Sequence, residues 1–345
     1  MKATAYLGLL AGLAIFTALI AYHGFAEVGS ALAVAGWGLA LIALFHAVPI
    51  MLNTLSWRAL LKHANVHAPV GFMLWARWIA ESINSLLPVA QVGGDWVKAR
   101  LAMRHGMPAP IAGASVMVDL TVSVFAQIVF TLLGLALLLL AMEQDDITAS
   151  ALVGLAIIGM LIGTFFIIQR RGLFVAASRL LERLFDGRDW SALIGSAVAT
   201  DQIVSDYYSR RRLLLVASGW RLLGWGAGVG EVWLAMYFLG APVSLLEAFL
   251  LESLGQAIRA AAFMVPGALG VQEGGFLLLG AILGLTPETA LALSLCKRVR
   301  ELLLGVPGLI AWQFATGRDL WMRRRGGSSS PAVAAEHTAA KEGEG

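Results

Sequence analysis

At 345 residues, 59% of them hydrophobic and only 14% charged, the chain carries far more apolar surface than a soluble core can bury. Its mean hydropathy of +0.78 excludes an ordinary soluble domain and predicts an all-α polytopic membrane protein. A net charge of +3 would suggest nucleic acid in a soluble protein, but here the basic residues sit between apolar runs, as the positive-inside rule requires, so no nucleic-acid partner is expected.

Met1 to Tyr22 reads as an uncleaved first span, because the apolar run after Lys2 ends without a small-residue cleavage pattern. Residues 23–33 carry Glu27 and no Lys or Arg, which places them outside, and a second span over 34–55 returns to Arg58, Lys62, His63 and His67 inside. The two histidines have metal-ligand spacing, but no third ligand is near and Pro69 follows, so no metal is expected. Residues 70–92 are apolar but interrupted by Arg77, Glu81, Asn84 and Ser85 on one helical face, and Pro88 ends the helix. The next stretch, 96–107, is as basic as 57–69, so both belong on the cytoplasmic side with an even number of crossings between them. A re-entrant hairpin satisfies that count, since non-helical backbone is tolerated at depth where protein or water surrounds it.

Ile111 to Ala141 is predicted to cross outward to Glu143, Asp145 and Asp146, and Leu152 to Ile168 to cross back. The segment 169–212 carries Arg179, Arg183, Arg188 and Arg210 to Arg212 beside Leu180, Leu184, Phe185 and Trp190, and is expected along the cytoplasmic membrane surface. The span 213–239 holds Gly224, Gly226, Gly228 and Gly230; with no strand before them they are read as helix-packing glycines, not a dinucleotide loop. Residues 245–286 form a second interrupted hairpin, with Glu252, Gln256 and Arg259 on one face of its first arm and a break at Pro266. Residues 288–316 cross to Arg318 and Arg323 to Arg325 on the inside, and the tail is expected to be disordered. Cys296 is read as an ordinary buried thiol.

The two hairpins match at an offset of 178 to 179 residues: Pro88 with Pro266, Asp95 with Glu273, Pro108 with Pro287, Asp119 with Arg298. The spans around them match with opposite polarity. The expected fold is therefore an inverted repeat of span-span-hairpin-span, about six full spans plus two Pro-Gly-interrupted re-entrant hairpins. Residues 1–141 form the first membrane repeat, 142–318 the second including the amphipathic 169–212 segment, and 319–345 a disordered cytoplasmic tail.

Transporters built this way place their sites between broken helices near mid-membrane. After Pro266, Gly267 and Gly270 free the backbone, and a helix restarting near Val271 would point unpaired N–H groups inward, a site for an anion or a polar head group. The alternative is that Glu273 in the first turn caps those groups itself. Arg259 and Gln256 would add donors, and Asp95 with Lys98 and Arg100 would form the equivalent site behind Pro88. Charges in hydrocarbon need partners. The offset sets Glu81 against Arg259 and Asp119 against Arg298, which raises cross-repeat ion pairs; the competing reading is local pairing, Glu81 with Arg77 and Arg298 with Glu301. No Walker loop, nucleophile elbow or Asp-rich diphosphate motif is present, so no catalytic residue and no cofactor is expected.

The run Pro266-Gly-Ala-Leu-Gly270-Val-Gln-Glu273 resembles the Pro-Gly-Gly-x-Gly-x-x-Glu signature of the flippase-like family that includes the transmembrane domain of lysylphosphatidylglycerol synthases, with Ala268 in place of the second Gly. The run from Asn84 to Asp95, followed by Lys98-Ala-Arg100, is most similar to the hopanoid-biosynthesis-associated branch of that family. The resemblance extends over roughly residues 5 to 318. It implies translocation of a lipid between leaflets, a hopanoid or an anionic or aminoacylated lipid, in a bacterial-type cytoplasmic membrane with both termini inside. Membrane lipids are the expected partners, with lipid-biosynthesis enzymes as further ones. The chain is too short to hold the soluble aminoacyltransferase domain of the synthases as well, so synthase activity does not carry over. The alternatives are a membrane-embedded lipid-biosynthesis enzyme, or a non-transporting scaffold for hopanoid synthesis that docks enzymes on its Arg-rich 169–212 segment.

Overall fold

The computed structural model describes residues 30, 33–87, 93–141, 191–262 and 265–326. The expected first span, the span over 152–168, Pro88 and the tail beyond residue 326 lie outside the described residues, as do most of both outer loops and the first part of the basic 169–212 segment. Every described element is helical.

Helices α1 (Gly38–Phe45) and α2 (Ala47–His63) form one membrane-length unit interrupted at His46. Pro49 lies three residues on and has no N–H to offer the carbonyl of Phe45, so the ladder opens there and the His46 side chain sits at the joint. The arms of the first hairpin are α3 (Val70–Leu86) and α4 (Gly93–Arg104), followed by α5 (Ala109–Ala141). After α6 (Ser191–Ser209), the chain continues through α7 (Arg211–Phe238) and α8 (Leu245–Ala261), the first arm of the second hairpin. A 3-10 turn at Pro266–Ala268, α9 (Val271–Ile282) and α10 (Pro287–Gly326) complete it.

The helix boundaries keep the offset seen in the sequence. Helices α4 and α9 end at 104 and 282, a difference of 178, and α5 and α10 begin at 109 and 287, again 178 apart. With 12 residues each, α4 and α9 are about 18 Å long and too short to cross a hydrocarbon core of about 30 Å. Gly38–His63, Ala109–Leu140 and Arg211–Phe238 are long and apolar enough to cross. Helix α10 runs past position 318, where the sequence suggests a disordered tail, and stays helical to Gly326.

The packing is exchanged between the two sets of helices. α2 lies along α7, while the first hairpin arm α3 packs on α10 and the second hairpin arm α8 packs on α5. Small residues permit this closeness: a Cβ on Gly134 of α5 would come within 2.0 Å of Ser253 Oγ on α8, and one on Gly308 of α10 within 2.0 Å of Ser82 Oγ on α3. The α7 glycines work similarly, Gly224 against Asn53 and Gly228 against Glu252, so there the small residues seat polar side chains. Helix α6 departs from a purely surface role. It buries Val204, Tyr207 and Tyr208 against α2, α5 and α7, and the Tyr207 hydroxyl donates to Leu60 O at 3.1 Å.

Candidate functional site

Between α2, α3, α4, α5, α7, α8 and α10 lies a cavity of about 400 Å³ whose lining carries many charged and polar side chains among apolar ones. Its charges come from helices that are otherwise apolar, so each must be neutralised locally.

One group is centred on Asp119, fully buried on α5. Its carboxylate accepts from Arg77 Nη2 of α3 at 2.5 Å and Lys98 Nζ of α4 at 2.8 Å, and pairs with Arg221 Nη2 of α7 at 2.7 Å. Lys98 also reaches Asp95 at 2.8 Å, and its ammonium lies 5.3 Å from the centre of the Trp57 ring. The Gly94 N–H donates to Asn84 Oδ1 at 2.7 Å, which ties the start of α4 to the end of α3.

A second group surrounds the Pro-Gly break. Gly267, Ala268 and Gly270 all take positive φ, at 62°, 50° and 75°. For Ala268 this left-handed conformation carries the strain that glycine would avoid. Glu273 is fully buried and its Oε2 accepts the Gly270 N–H at 2.7 Å, while its Oε1 accepts from Ser294 Oγ and Arg298 Nε, both at 3.1 Å. Arg298 also donates to the Gly267 carbonyl and pairs with Glu301 at 3.3 Å. Arg259 binds Glu301 and donates to Gln272 Oε1 at 3.1 Å.

The third group joins the two sets of helices. Helix α10 carries Lys297, Arg298, Arg300 and Glu301 within about one turn, so they leave it in different directions. Lys297 pairs with Glu252 of α8 at 2.5 Å, and Gln256 donates to the same carboxylate at 2.9 Å. Arg300 reaches Glu231 of α7 at 2.8 Å. His46 stands between two carboxylates, Nδ1 2.6 Å from Glu231 Oε2 and Nε2 2.6 Å from Glu81 Oε1.

Of the residues singled out by sequence, Glu81, Asp95, Gln256 and Arg259 line the cavity. Lys98 lies buried behind the wall, and Arg100 is exposed and outside it. Gly267, Gly270 and Glu273 form the break and are not part of the lining. The open N–H groups expected at the start of α9 are not presented to the cavity; Glu273 turns back onto Gly270, because a carboxylate three residues into a helix reaches that N–H without strain. The cross-repeat pairs are not formed either. Glu81 pairs with His46, Arg259 with Glu301, Asp119 with Arg77, Lys98 and Arg221, and Arg298 with Glu273 and Glu301. Each finds a closer partner, Arg298 in its neighbour Glu301 as local pairing required, Glu81 in His46 instead of Arg77. Ties between first-half and second-half helices include Asp119 with Arg221, His46 with Glu231 and His63 with Asp206.

Sequence reasoning passed over His46, Arg221, Glu231 and Arg300. Their signal was available, since Arg221 and Glu231 are lone charges inside an apolar run, the pattern that marks function in a membrane helix. The ring nitrogen of His63, the last residue of α2, lies 2.8 Å from Asp206 Oδ2 of α6 and holds that carboxyl below its ordinary range by a hydrogen bond to the charged form.

Apolar helices of membrane length, shorter helices packed against them and a cavity lined with charges define a multi-pass α-helical membrane protein. The sequence pattern of the lysylphosphatidylglycerol synthase TM region matches residues 9–308, and the chain belongs to that family. It is 22% identical over 284 residues to the UPF0104 membrane protein PH1989 of Pyrococcus horikoshii, a match covering 78% of this chain and 84% of that protein.

Proposed function

We propose that the chain translocates a lipid between the membrane leaflets, the head group crossing through the charged cavity while the tails stay in the bilayer. The observation that carries this reading is the cavity itself, about 400 Å³, walled by Arg77, Arg221, Arg259 and Arg300 among carboxylates and bounded by both hairpin arms. That volume falls within the usual range for small-molecule sites of about 300–1,000 Å³. Arginine forks suit a phosphate or carboxylate group, so an anionic or aminoacylated lipid fits the wall better than a neutral hopanoid hydrocarbon, whose polar end alone would enter.

The shared 178-residue offset of the helix boundaries and the exchanged packing of hairpin arms support an inverted repeat, with access alternating as one half rocks against the other. The same reading places the protein in a bacterial-type cytoplasmic membrane with both termini inside.

Reconstitution of the pure protein in vesicles holding fluorescent phosphatidylglycerol or a labelled hopanoid tests this. Accelerated exchange of label between leaflets is the expected result. A new chemical product would point to a lipid-biosynthesis enzyme, and neither exchange nor product would leave a scaffold for hopanoid synthesis.

A further inference from the structure

His46 is placed unlike any other charged group around the cavity. Its Nδ1 lies 2.6 Å from an acceptor, Glu231 Oε2, and also 2.6 Å from a donor, Arg300 Nη1. Its Nε2 lies 2.6 Å from Glu81 Oε1. With both nitrogens protonated, Nδ1–H donates to Glu231 and Nε2–H to Glu81, in two short charge-assisted bonds. With one proton gone, the ring keeps Nε2–H on Glu81 and its bare Nδ1 accepts from Arg300. Neither state strands a buried polar group, which is the condition for taking up and releasing a proton inside a membrane protein.

The surroundings give the proton a way out. The Glu81 side chain is 39% exposed, whereas His46 is 13% and Glu231 3% exposed. Both Glu81 and His46 line the cavity. The Nε2–H proton of the imidazolium passes to Glu81, one N–H bond breaking and one O–H bond forming, and from there to water in the cavity; the ring then tautomerises through that water, Nδ1–H breaking as Nε2–H re-forms, which leaves its remaining proton on Nε2. Glu231 stays ionised throughout, held by Arg300 at 2.8 Å.

The charged groups around His46 come from four helices: Arg77 and Glu81 on α3, Glu231 on α7, Glu252 on α8, and Lys297, Arg300 and Glu301 on α10. Lys297 is taken up by Glu252, and Glu301 by Arg259 and Arg298. Arg77 is turned to Asp119. The set left to His46 is Glu81, Glu231 and Arg300, which sums to one negative charge with the ring neutral and to zero with it protonated. An anionic head group entering beside Arg300 and Arg259 meets less repulsion once the proton is on.

We propose that His46 is a proton-binding centre and that the cavity takes up one proton with each anionic head group, so that a proton gradient drives lipid movement. The centre stands on its own geometry; the link to lipid rests on the reading of the cavity as the lipid path.

Two measurements test this separately. In nanodiscs, 15N-histidine NMR on the full chain, with the His46 signal assigned by its loss in His46→Gln, should show both ring nitrogens protonated at neutral pH and one at alkaline pH. A ring fixed in one state between about pH 5 and pH 9 overturns the proton centre. In vesicles containing fluorescent phosphatidylglycerol, with valinomycin and potassium holding the potential at zero, one pH unit across the membrane and one proton per lipid drive a leaflet ratio of about tenfold at equilibrium. That ratio should fall to even in His46→Gln and in Glu81→Gln, which keeps the imidazole but removes its exposed acceptor, and should persist in His63→Gln. An even ratio in the wild type despite rapid exchange overturns the link and leaves lipid movement standing. No exchange at all overturns both the lipid path and the link, while the NMR result still decides the proton centre. A tenfold ratio retained in Glu81→Gln overturns the role of His46.

Discussion

Replacing Asp119 by Asn keeps the shape of the side chain and removes the one negative charge that faces three cations. Arg77 at 2.5 Å, Lys98 at 2.8 Å and Arg221 at 2.7 Å all contact this carboxylate, and none is more than slightly exposed. Removing one partner of a buried ion pair costs about 3–5 kcal/mol, because the other charge is left without compensation. Lys98 retains Asp95 at 2.8 Å, so only the two guanidiniums are stranded and the lower end, about 3 kcal/mol, is expected. For a chain of this size that corresponds to a fall in Tm on the order of 5–10 °C, read by heating detergent-solubilised protein and measuring the monodisperse fraction. Adding Arg221→Met, which removes one of the two stranded guanidiniums, should restore part of the loss. A single Asp119→Asn variant within about 1 kcal/mol of wild type would refute the reasoning. So would a double reversal, Asp119→Arg with Arg298→Asp, that outperforms its worse single variant, since the two residues belong to separate groups.

Gly134→Ala and Gly308→Ala each force a Cβ to within 2.0 Å of a serine hydroxyl on the facing hairpin arm, so each should lower stability by about 1–3 kcal/mol in the same heating assay; Gly226→Ala, with nothing within 4 Å, should not. Arg259→Gln should slow leaflet exchange in vesicles with normal membrane yield, whereas Glu273→Gln, which loosens the cap on Gly270 and releases Arg298, should reduce yield and exchange together. Single cysteines in a Cys296→Ala background should label from the cytoplasmic side at 57–69 and 96–107; labelling of 96–107 from outside would make the first hairpin a full span and end the inverted repeat. The His63 contact depresses the Asp206 carboxyl, so its contribution is present above the ordinary carboxylate range and lost as pH falls through the lowered value; for an exposed pair it is under about 1 kcal/mol, and Asp206→Asn should matter even less in acid than at neutral pH.

The parts of this fold that were legible in the sequence are those written by chain breaks. Pro266 with Gly267 and Gly270, and Pro287 at the start of α10, mark the ends of helices because proline cannot continue a ladder and glycine tolerates positive φ. The site was legible only in part. Asp95, Arg259 and Gln256 line the cavity, and each lies on a hairpin helix within about three turns of its break. The partners of Asp119 and Glu81 were not legible, because offset arithmetic aligns backbone positions and says nothing about which side chain arrives first. His46 was missed for a related reason: alone in an apolar run it looks like an ordinary histidine, and its meaning comes from Glu81 and Glu231, which are 35 and 185 residues away.

The charged groups around the cavity are a poor way to hold helices together. Buried ion pairs replaced by apolar residues of similar volume often leave a protein equally stable or more so, by about 1–4 kcal/mol. Here they gather around the cavity, while Phe130, Phe276 and Met236 in one cluster and Trp57, Met73 and Ile79 in another fill apolar cores that also draw on both sets of helices. Several members also have more than one partner within reach. Arg300 lies between Glu231, Glu301 and His46, and Arg298 between Glu273, Glu301 and the Gly267 carbonyl. A seam of this kind lets one half shift against the other by trading partners without leaving a charge bare, which close-packed apolar side chains do not permit.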